Sequence, residues 1–259
     1  MTGRLEAELR QRRSEGAKLL VPYVTGGLSP EWTDVLAAVV AAGADAVEVG
    51  IPFSDPVMDG PTIQEASIRA LARGTTPESI LAELSRIDAG VPLVAMTYYN
   101  LAFRMGDLRF ARSLAAAGVA GAILPDLPLE ESGSWEAEAA AAGVETVLLA
   151  APVTPDERLV EIAARSRGFV YGVSRMGVTG ERASLAASAG VMAKRLKAVT
   201  DKPVLIGFGV STPQQAVEIC AEADGVVVAS ALLRAVLDGG GPDAAGDFVA
   251  GMREALDAG

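Results

Sequence analysis

The sequence has no histidine and a single cysteine, Cys220, among its 259 residues. Histidine is the side chain that ordinarily titrates near neutral pH, so proton transfer must fall to carboxylates, tyrosines, lysines or bound water. One cysteine cannot form an intramolecular disulfide, and its place in a helical pattern predicts a buried structural thiol. Zinc held by cysteine or histidine is excluded as well, although magnesium held by carboxylates is not.

Basic clusters and long apolar runs are also missing. Lys and Arg number 22 against 33 Asp and Glu, a net charge of −11, so we expect no nucleic acid and no membrane surface as a partner. No run of about 18 apolar residues occurs, and the charged N-terminus lacks an apolar stretch of the signal-peptide type. These absences favour the reducing cytoplasm. An anionic substrate would have to be bound by local backbone N–H groups.

The chain is rich in short apolar runs that alternate with alanine-rich helical stretches. The runs are too uniformly apolar for a half-exposed antiparallel sheet, so they predict parallel strands covered by helices. They are Lys18–Val24, Ala46–Gly50, Leu93–Thr97, Gly121–Leu124, Thr146–Ala150, Gly168–Val173, Val204–Gly207 and Gly225–Ala229.

Several helical patterns lie between these runs, among them Pro30–Ala42, Pro77–Ile87, Leu108–Ala117, Glu130–Ala142, Asp156–Ser166, Ala186–Val199 and Pro213–Ala221. Many are preceded by a hydroxyl residue and a proline, a pair in which the hydroxyl caps the first turn and proline takes the first helical position. The pairs are Ser29-Pro30, Thr76-Pro77, Thr154-Pro155 and Thr212-Pro213.

Eight such units without a compositional break predict an α/β fold, a (β/α)8 TIM barrel with an extra N-terminal helix, as one domain over residues 1–259. The main rival is a doubly wound open sheet. That fold would favour Gly-x-Gly-x-x-Gly after its first strand, and Thr25-Gly-Gly-Leu-Ser-Pro30 does not match.

Glu48 is the first candidate catalytic residue. In a strand that alternates between two faces, Val47 and Val49 face the helices, while Ala46, Glu48 and Gly50 face the barrel interior. Glu48 therefore projects into the barrel mouth, where apolar surroundings should raise its pKa toward a value suited to proton transfer. The alternative is a structural carboxylate bonded to a neighbouring strand.

Asp59 follows on a loop stiffened by Pro52, Pro56 and Pro61. Asp55 competes with it, since an Asp-Pro pair commonly caps its own turn. Asp59 and Gly60 are also compatible with a simple turn into the next helix. The residues alone leave the choice open.

A second group of residues suits an anion. Gly207–Pro213 follows the seventh run, and Val228–Ala231 ends the eighth and opens a helix. The loops after strands seven and eight commonly bind phosphate in this fold, and Ser230 could add a hydroxyl. The alternative is a purely packing role.

The segment Ser174–Gly180 follows strand six, and its small residues suit a lid that closes over substrate. An ordinary connecting loop is the alternative. Tyr171, Tyr98 and Tyr99 are candidates either to line the pocket or to fill barrel space.

At these segments the chain resembles the tryptophan synthase alpha subunit family. The matching pieces occur in family order over nearly the whole chain: Val21-Pro22, Glu48–Gln64, Met96–Asn100, Pro125–Pro128, Ser174–Gly180 and Gly207–Ser211. The resemblance implies a retro-aldol cleavage of indole-3-glycerol phosphate to indole and glyceraldehyde 3-phosphate in L-tryptophan biosynthesis. Such a reaction needs no metal and no cofactor in this chain.

The resemblance also assigns roles by position. Glu48 and Asp59 match the catalytic pair, Tyr171 a pocket tyrosine, and Thr179 a lid threonine that bonds the aspartate on closure. The phosphate ligands match Gly180, Gly209, Ala229 and Ser230, with Phe208 beside them. The chain departs from frequent family residues at Tyr23, Met58 and Ala229, which affects the shape of the pocket.

The family further implies a beta-subunit partner that carries pyridoxal phosphate, in an alpha2-beta2 complex. The surface used would comprise Pro52–Met58, Tyr99–Phe103 and Pro125–Leu129. Two rivals remain: a stand-alone lyase that releases free indole, and a regulatory subunit that only binds and activates another enzyme. The presence of both Glu48 and Asp59 argues against the regulator.

Overall fold

A computed structural model describes residues 2–173, 183–207 and 209–259. Eight parallel strands pair in chain order, and β8 pairs with β1 to close the barrel. The predicted (β/α)8 barrel is confirmed, and the open doubly wound sheet is excluded. The strands are β1 Leu19–Thr25, β2 Val47–Gly50, β3 Leu93–Met96, β4 Val119–Ile123, β5 Glu145–Ala150, β6 Val170–Val173, β7 Val204–Gly207 and β8 Gly225–Val228.

Helices surround the barrel, and a π-helical turn at Val236–Gly240 joins the last two. The described residues form α1 Arg4–Ser14, α2 Trp32–Ala41, α3 Pro61–Ala72, α4 Pro77–Leu84, α5 Tyr99–Met105, α6 Asp107–Ala116, α7 Gly133–Ala142, α8 Asp156–Arg165, α9 Ala183–Lys197, α10 Pro213–Cys220, α11 Ser230–Ala235 and α12 Gly241–Ala258. Among these helices, none is long and apolar enough to cross a membrane.

The alternation predicted for β2 is confirmed by the packing. Val47 and Val49 belong to the core between strands and helices, whereas Ala46 belongs to the core inside the barrel. Tyr23 of β1 pairs in register with Glu48. Their side chains therefore point to the same interior face, near the carboxyl ends of the strands.

Helix α1 is the predicted extra N-terminal helix, and it covers the amino-terminal end of the barrel. Leu5 and Leu9 are fully buried in the interior core. Glu145, the first residue of β5, accepts the backbone N–H groups of Leu5 at 2.7 Å and Glu6 at 3.1 Å. A carboxylate from a distant strand thus satisfies donors that the start of a helix leaves free.

Two buried aspartates hold the other end of α1. Asp45 accepts the N–H of Leu20 at 2.8 Å and pairs with Arg12 at 2.9 Å. Asp224 accepts the N–H of Val204 at 2.9 Å and pairs with Arg13 at 3.2 Å. Each aspartate therefore joins a strand of the barrel to helix α1.

Two of the four predicted hydroxyl caps are confirmed. Thr76 and Thr212 cap α4 and α10, each followed by proline in the first turn. The other two predictions are wrong, because the hydroxyls bond within the preceding turn. Ser29 accepts the N–H of Glu31, and Thr154 accepts the N–H of Ala151.

Candidate active site

Within the described residues, a cavity of about 160 Å³ opens at the carboxyl ends of the strands. Glu48 and Asp59 lie in its wall, with Gly209 and Ser230 on the side of β7 and β8. Much of the remaining wall is a layer of inward-facing strand residues: Tyr23, Met96, Ile123, Leu149, Tyr171 and Val227. The site thus combines carboxylates, an apolar body and the small residues of two loops, as small-molecule sites commonly do.

Glu48 is almost fully buried, with 3% of its surface exposed. Within the described part of the chain, its Oε2 atom has no hydrogen-bond partner. Burial chiefly, and the nearby charge of Asp59, raise the pKa of Glu48 to about 8. The unpartnered oxygen disfavours a structural role, and the raised pKa agrees with the expectation from the sequence.

Asp59 lies just before Gly60, the residue that caps α3. Burial raises the pKa of Asp59 to about 6, and a hydrogen bond from the Tyr98 hydroxyl acts in the opposite direction. Asp55 is exposed, and one of its carboxylate oxygens accepts the Ser54 hydroxyl at 2.5 Å. Of the two aspartates, Asp59 is the one that lines the cavity.

The two pKa values give Glu48 and Asp59 different protonation states at neutral pH. With a pKa of about 8 Glu48 is mostly protonated, and with a pKa of about 6 Asp59 is mostly ionised. One carboxyl can therefore give a proton while the other supplies a fixed negative charge. Environments that push two carboxyl pKa values apart in this way are typical of acid–base sites.

The loops after β7 and β8 form the other end of the cavity. Gly209 has a φ of +94°, in the left-handed region that favours glycine. Ala229 is the cap residue of α11 and Ser230 its first residue. Backbone N–H groups in the first turn of a helix lack intrahelical partners and favour anions.

Most sequence-predicted site residues come together here. Glu48, Asp59, Tyr171, Gly209, Ala229 and Ser230 all line the one cavity. Thr179, Gly180 and Phe208 lie outside the described residues. No group of three or more Cys, Asp or Glu among the described residues is placed to hold a metal ion.

Sequence reasoning missed part of the apolar wall. Met96, Ile123, Leu149 and Val227 were not assigned to the site, although each is an inward-facing residue close to the end of its strand. The alternation seen in β2, applied to every strand, identifies them.

Comparison with known proteins gives a consistent result. The family model described as "Tryptophan synthase alpha chain" matches residues 9–246. The chain belongs to the tryptophan synthase alpha chain family. Members of this family are carbon–carbon lyases (EC 4.2.1.20) that cleave indole-3-glycerol phosphate in tryptophan biosynthesis, and this is the activity of the chain.

Individual relatives cover nearly the whole chain. A tryptophan synthase alpha chain from Picosynechococcus sp. is 44% identical over 95% of this chain and 97% of its own. One from Streptomyces coelicolor is 46% identical over 90% of this chain and 88% of its own. Among solved structures, tryptophan synthase from Mycobacterium tuberculosis superposes with a TM-score of 0.92 at 38% identity, covering 100% of both chains. The resemblance found in the sequence is confirmed.

Proposed function

We propose that the chain cleaves indole-3-glycerol phosphate by a retro-aldol reaction in which Glu48 moves the proton and Asp59 stabilises the charge. The observation that carries this proposal is the pairing of a buried, protonated carboxyl with an ionised one in the wall of a single cavity. Proton transfer by a positioned carboxyl typically contributes about 10²–10⁴-fold to the rate.

Each group has a separate part in the bond-breaking sequence. Protonated Glu48 gives its proton to indole C3, which converts the ring to an indolenine with positive charge at the ring nitrogen. Ionised Asp59 stabilises that charge. The bond from C3 to the first side-chain carbon then breaks, and its electron pair restores the aromatic ring. The side-chain carbon, which carries a hydroxyl, becomes the aldehyde. The hydroxyl proton returns to Glu48, so the protons balance over the cycle.

The phosphate would be held at the opposite end of the cavity. Backbone N–H groups at Gly209, Ala229 and Ser230, with the Ser230 hydroxyl, suit a phosphate dianion without a basic side chain. We assign Gly180 to the same group by family position. Phe208, Tyr171 and Thr179 would contact the substrate or close over it.

A beta-subunit partner is part of the proposal. Exposed apolar side chains lie on segments that follow the carboxyl ends of β2 and β3: Val57 is 80% exposed, Met58 39% and Phe103 68%. They fall in the segments expected to meet the partner, which supports an interaction surface there. We propose an alpha2-beta2 complex in the cytoplasm, with pyridoxal phosphate in the beta subunit and no cofactor in this single-domain chain.

Turnover measurements test the catalytic roles. Glu48→Gln and Asp59→Asn should each lower kcat at least about 100-fold while leaving affinity for inorganic phosphate nearly unchanged. Glu78→Gln, on the exposed face of α4, is the matched control and should retain full activity. Near-normal kcat in either cavity variant would rule out its assigned role.

The partner is tested separately, by indole release with and without an added beta subunit and by co-purification. Phe103→Ser should weaken co-purification, whereas Val160→Ser on α8, where the side chain is 52% exposed, should not. High activity without the partner would favour a stand-alone lyase. No activity in either condition would favour a regulatory subunit.

A further inference from the structure

Tyr98 holds the loop that carries Asp59. Its hydroxyl oxygen accepts the backbone N–H of Met58, the residue immediately before Asp59, at 2.9 Å. The tyrosine itself is 2% exposed and lies directly after β3, as the cap residue of α5. A rigid position behind the loop is thereby linked to the backbone next to the catalytic carboxylate.

The same hydroxyl also interacts with the carboxylate of Asp59. A tyrosine hydroxyl that accepts one hydrogen bond still has a proton to donate. The hydrogen bond from Tyr98 acts to lower the pKa of Asp59, against the larger effect of burial. Burial chiefly, together with the charge of Asp59, raises the pKa of Tyr98 itself, so the phenol keeps its proton at neutral pH.

The ring of Tyr98 is fixed by a second contact to this loop. Phe53 stacks on it, with ring centroids 5.2 Å apart and planes inclined by 27°. Between Phe53 and Met58 the loop is largely exposed, since Ser54 and Asp55 face solvent and Val57 is 80% exposed. One buried ring thus contacts both ends of an otherwise exposed segment.

We propose that Tyr98 is the positioning residue for Asp59: it fixes the loop and aims the carboxylate into the cavity. Tyr98 does not line the cavity, so it acts on the substrate only through Asp59. This inference rests on the proposed catalytic role of Asp59. It replaces the alternative left by the sequence, in which Tyr98 merely fills barrel space.

Other titratable groups also face Asp59 from the surrounding strands. They are Tyr23 on β1, Glu48 on β2 and Tyr171 on β6, each of which interacts with the Asp59 charge. All three remain in place when the Tyr98 hydroxyl alone is removed. A change of pH dependence in that variant therefore reports on the Tyr98–Asp59 contact.

The decisive comparison is Tyr98→Phe against Ser85→Ala, which removes a hydroxyl at the exposed end of α4. The Tyr98 variant should lose about 10-fold in kcat at pH 7, with KM for indole-3-glycerol phosphate within about 2-fold. The reason is that a misaligned Asp59 stabilises the transition state less well while substrate binding is kept. The acidic limb of its kcat profile should move to higher pH, since the contact that lowers the Asp59 pKa is gone. The Ser85 hydroxyl donates to the backbone carbonyl of Ala82 at 2.9 Å, so its removal should change neither quantity.

Unchanged kcat and an unchanged acidic limb in Tyr98→Phe would overturn the inference. A double-mutant cycle gives a second reading: in the Asp59→Asn background, Tyr98→Phe should cause no further loss, and an additional full loss would also overturn it. Thermal unfolding shows whether Tyr98→Phe is folded. If it is not, Phe53→Leu removes the ring that stacks on Tyr98, and a normal kcat in that variant counts against the proposal. Activity retained by Asp59→Asn would instead refute the proposed function.

Discussion

The hydroxyl of Tyr23 lies where a side chain at Gly50 would have to begin. The two residues are on neighbouring strands, and Tyr23 pairs in register with Glu48, two positions before Gly50. Tyr171 has the same relation to Gly207 on the far side of the barrel. Glycine at the end of a strand therefore makes room for a tyrosine in the cavity wall.

Replacing Gly50 by alanine should displace Tyr23 and deform the wall beside Glu48. We expect unfolding to become easier by about 1–3 kcal/mol, as for other overpacked positions, and kcat/KM to fall about 10-fold or more. Steady-state kinetics and urea unfolding measure the two effects. Gly133→Ala is the control, because nothing lies within 4 Å of the added carbon there. Wild-type kinetics in Gly50→Ala would show that the wall tolerates the change.

Activity should depend on pH through the catalytic pair. Asp59 must be ionised and Glu48 protonated, and their pKa values are about 6 and about 8. We therefore expect kcat to rise through the first value and to fall through the second, with a maximum between them. A kcat profile from pH 5 to pH 9 checks this. A flat profile would contradict the assigned protonation states.

Glu48 should also make the fold less stable as the pH rises. Its pKa is about 8 in the folded protein against an ordinary value of 4.5, so between these values the folded state keeps a proton that the unfolded state has lost. The free energy of unfolding is therefore highest, as far as Glu48 affects it, at low pH, and it declines as the pH rises toward 8. Glu48→Gln should unfold at a higher temperature than the wild type at pH 8 and lose that advantage at pH 5. An equal difference at both pH values would exclude this linkage.

Ser230 should affect binding more than turnover. Ser230 lines the end of the cavity assigned to phosphate, which is bound in both the ground state and the transition state. Ser230→Ala should raise KM by about 3- to 10-fold with kcat nearly unchanged. Ser211→Ala serves for comparison and should raise KM less, because its hydroxyl is donated to Gln215 at 2.9 Å. A fall in kcat with unchanged KM would place Ser230 outside the phosphate site.

Glu145 should matter for stability and not for catalysis. Glu145→Ala removes the acceptor for two buried N–H groups at the start of α1 and should destabilise the protein by about 2–3 kcal/mol. Glu15→Ala, at the exposed end of the same helix, should be near neutral. Urea unfolding gives the free energy difference. A change in kcat at saturating substrate would be unexpected this far from the cavity.

The barrel and the direction of Glu48 follow from local pattern, because alternation along a strand needs no knowledge of distant partners. The choice between Asp55 and Asp59 does not, since it depends on how the loop folds back against Tyr98. The family resemblance selected Asp59, and the cavity agrees.

The buried acids at the other end of the barrel were not foreseen. Glu145 and Asp224 act on α1, which is remote in sequence from both. Hydrophobic periodicity carries no signal for such contacts. The caps at Ser29 and Thr154 failed for a related reason: the dipeptide identifies a turn but does not say which N–H group the hydroxyl will bind.

The fastening of α1 sets an order for assembly. The N–H group of Leu5 donates to Glu145, which lies 140 residues further along the chain. Arg13 donates to Asp224, which lies 211 residues further along. The contact between Arg13 and Asp224 can therefore form only after the chain has been made as far as Asp224. Contacts of such long range close slowly. Helix α1 therefore closes the amino-terminal end of a barrel that must already be largely made.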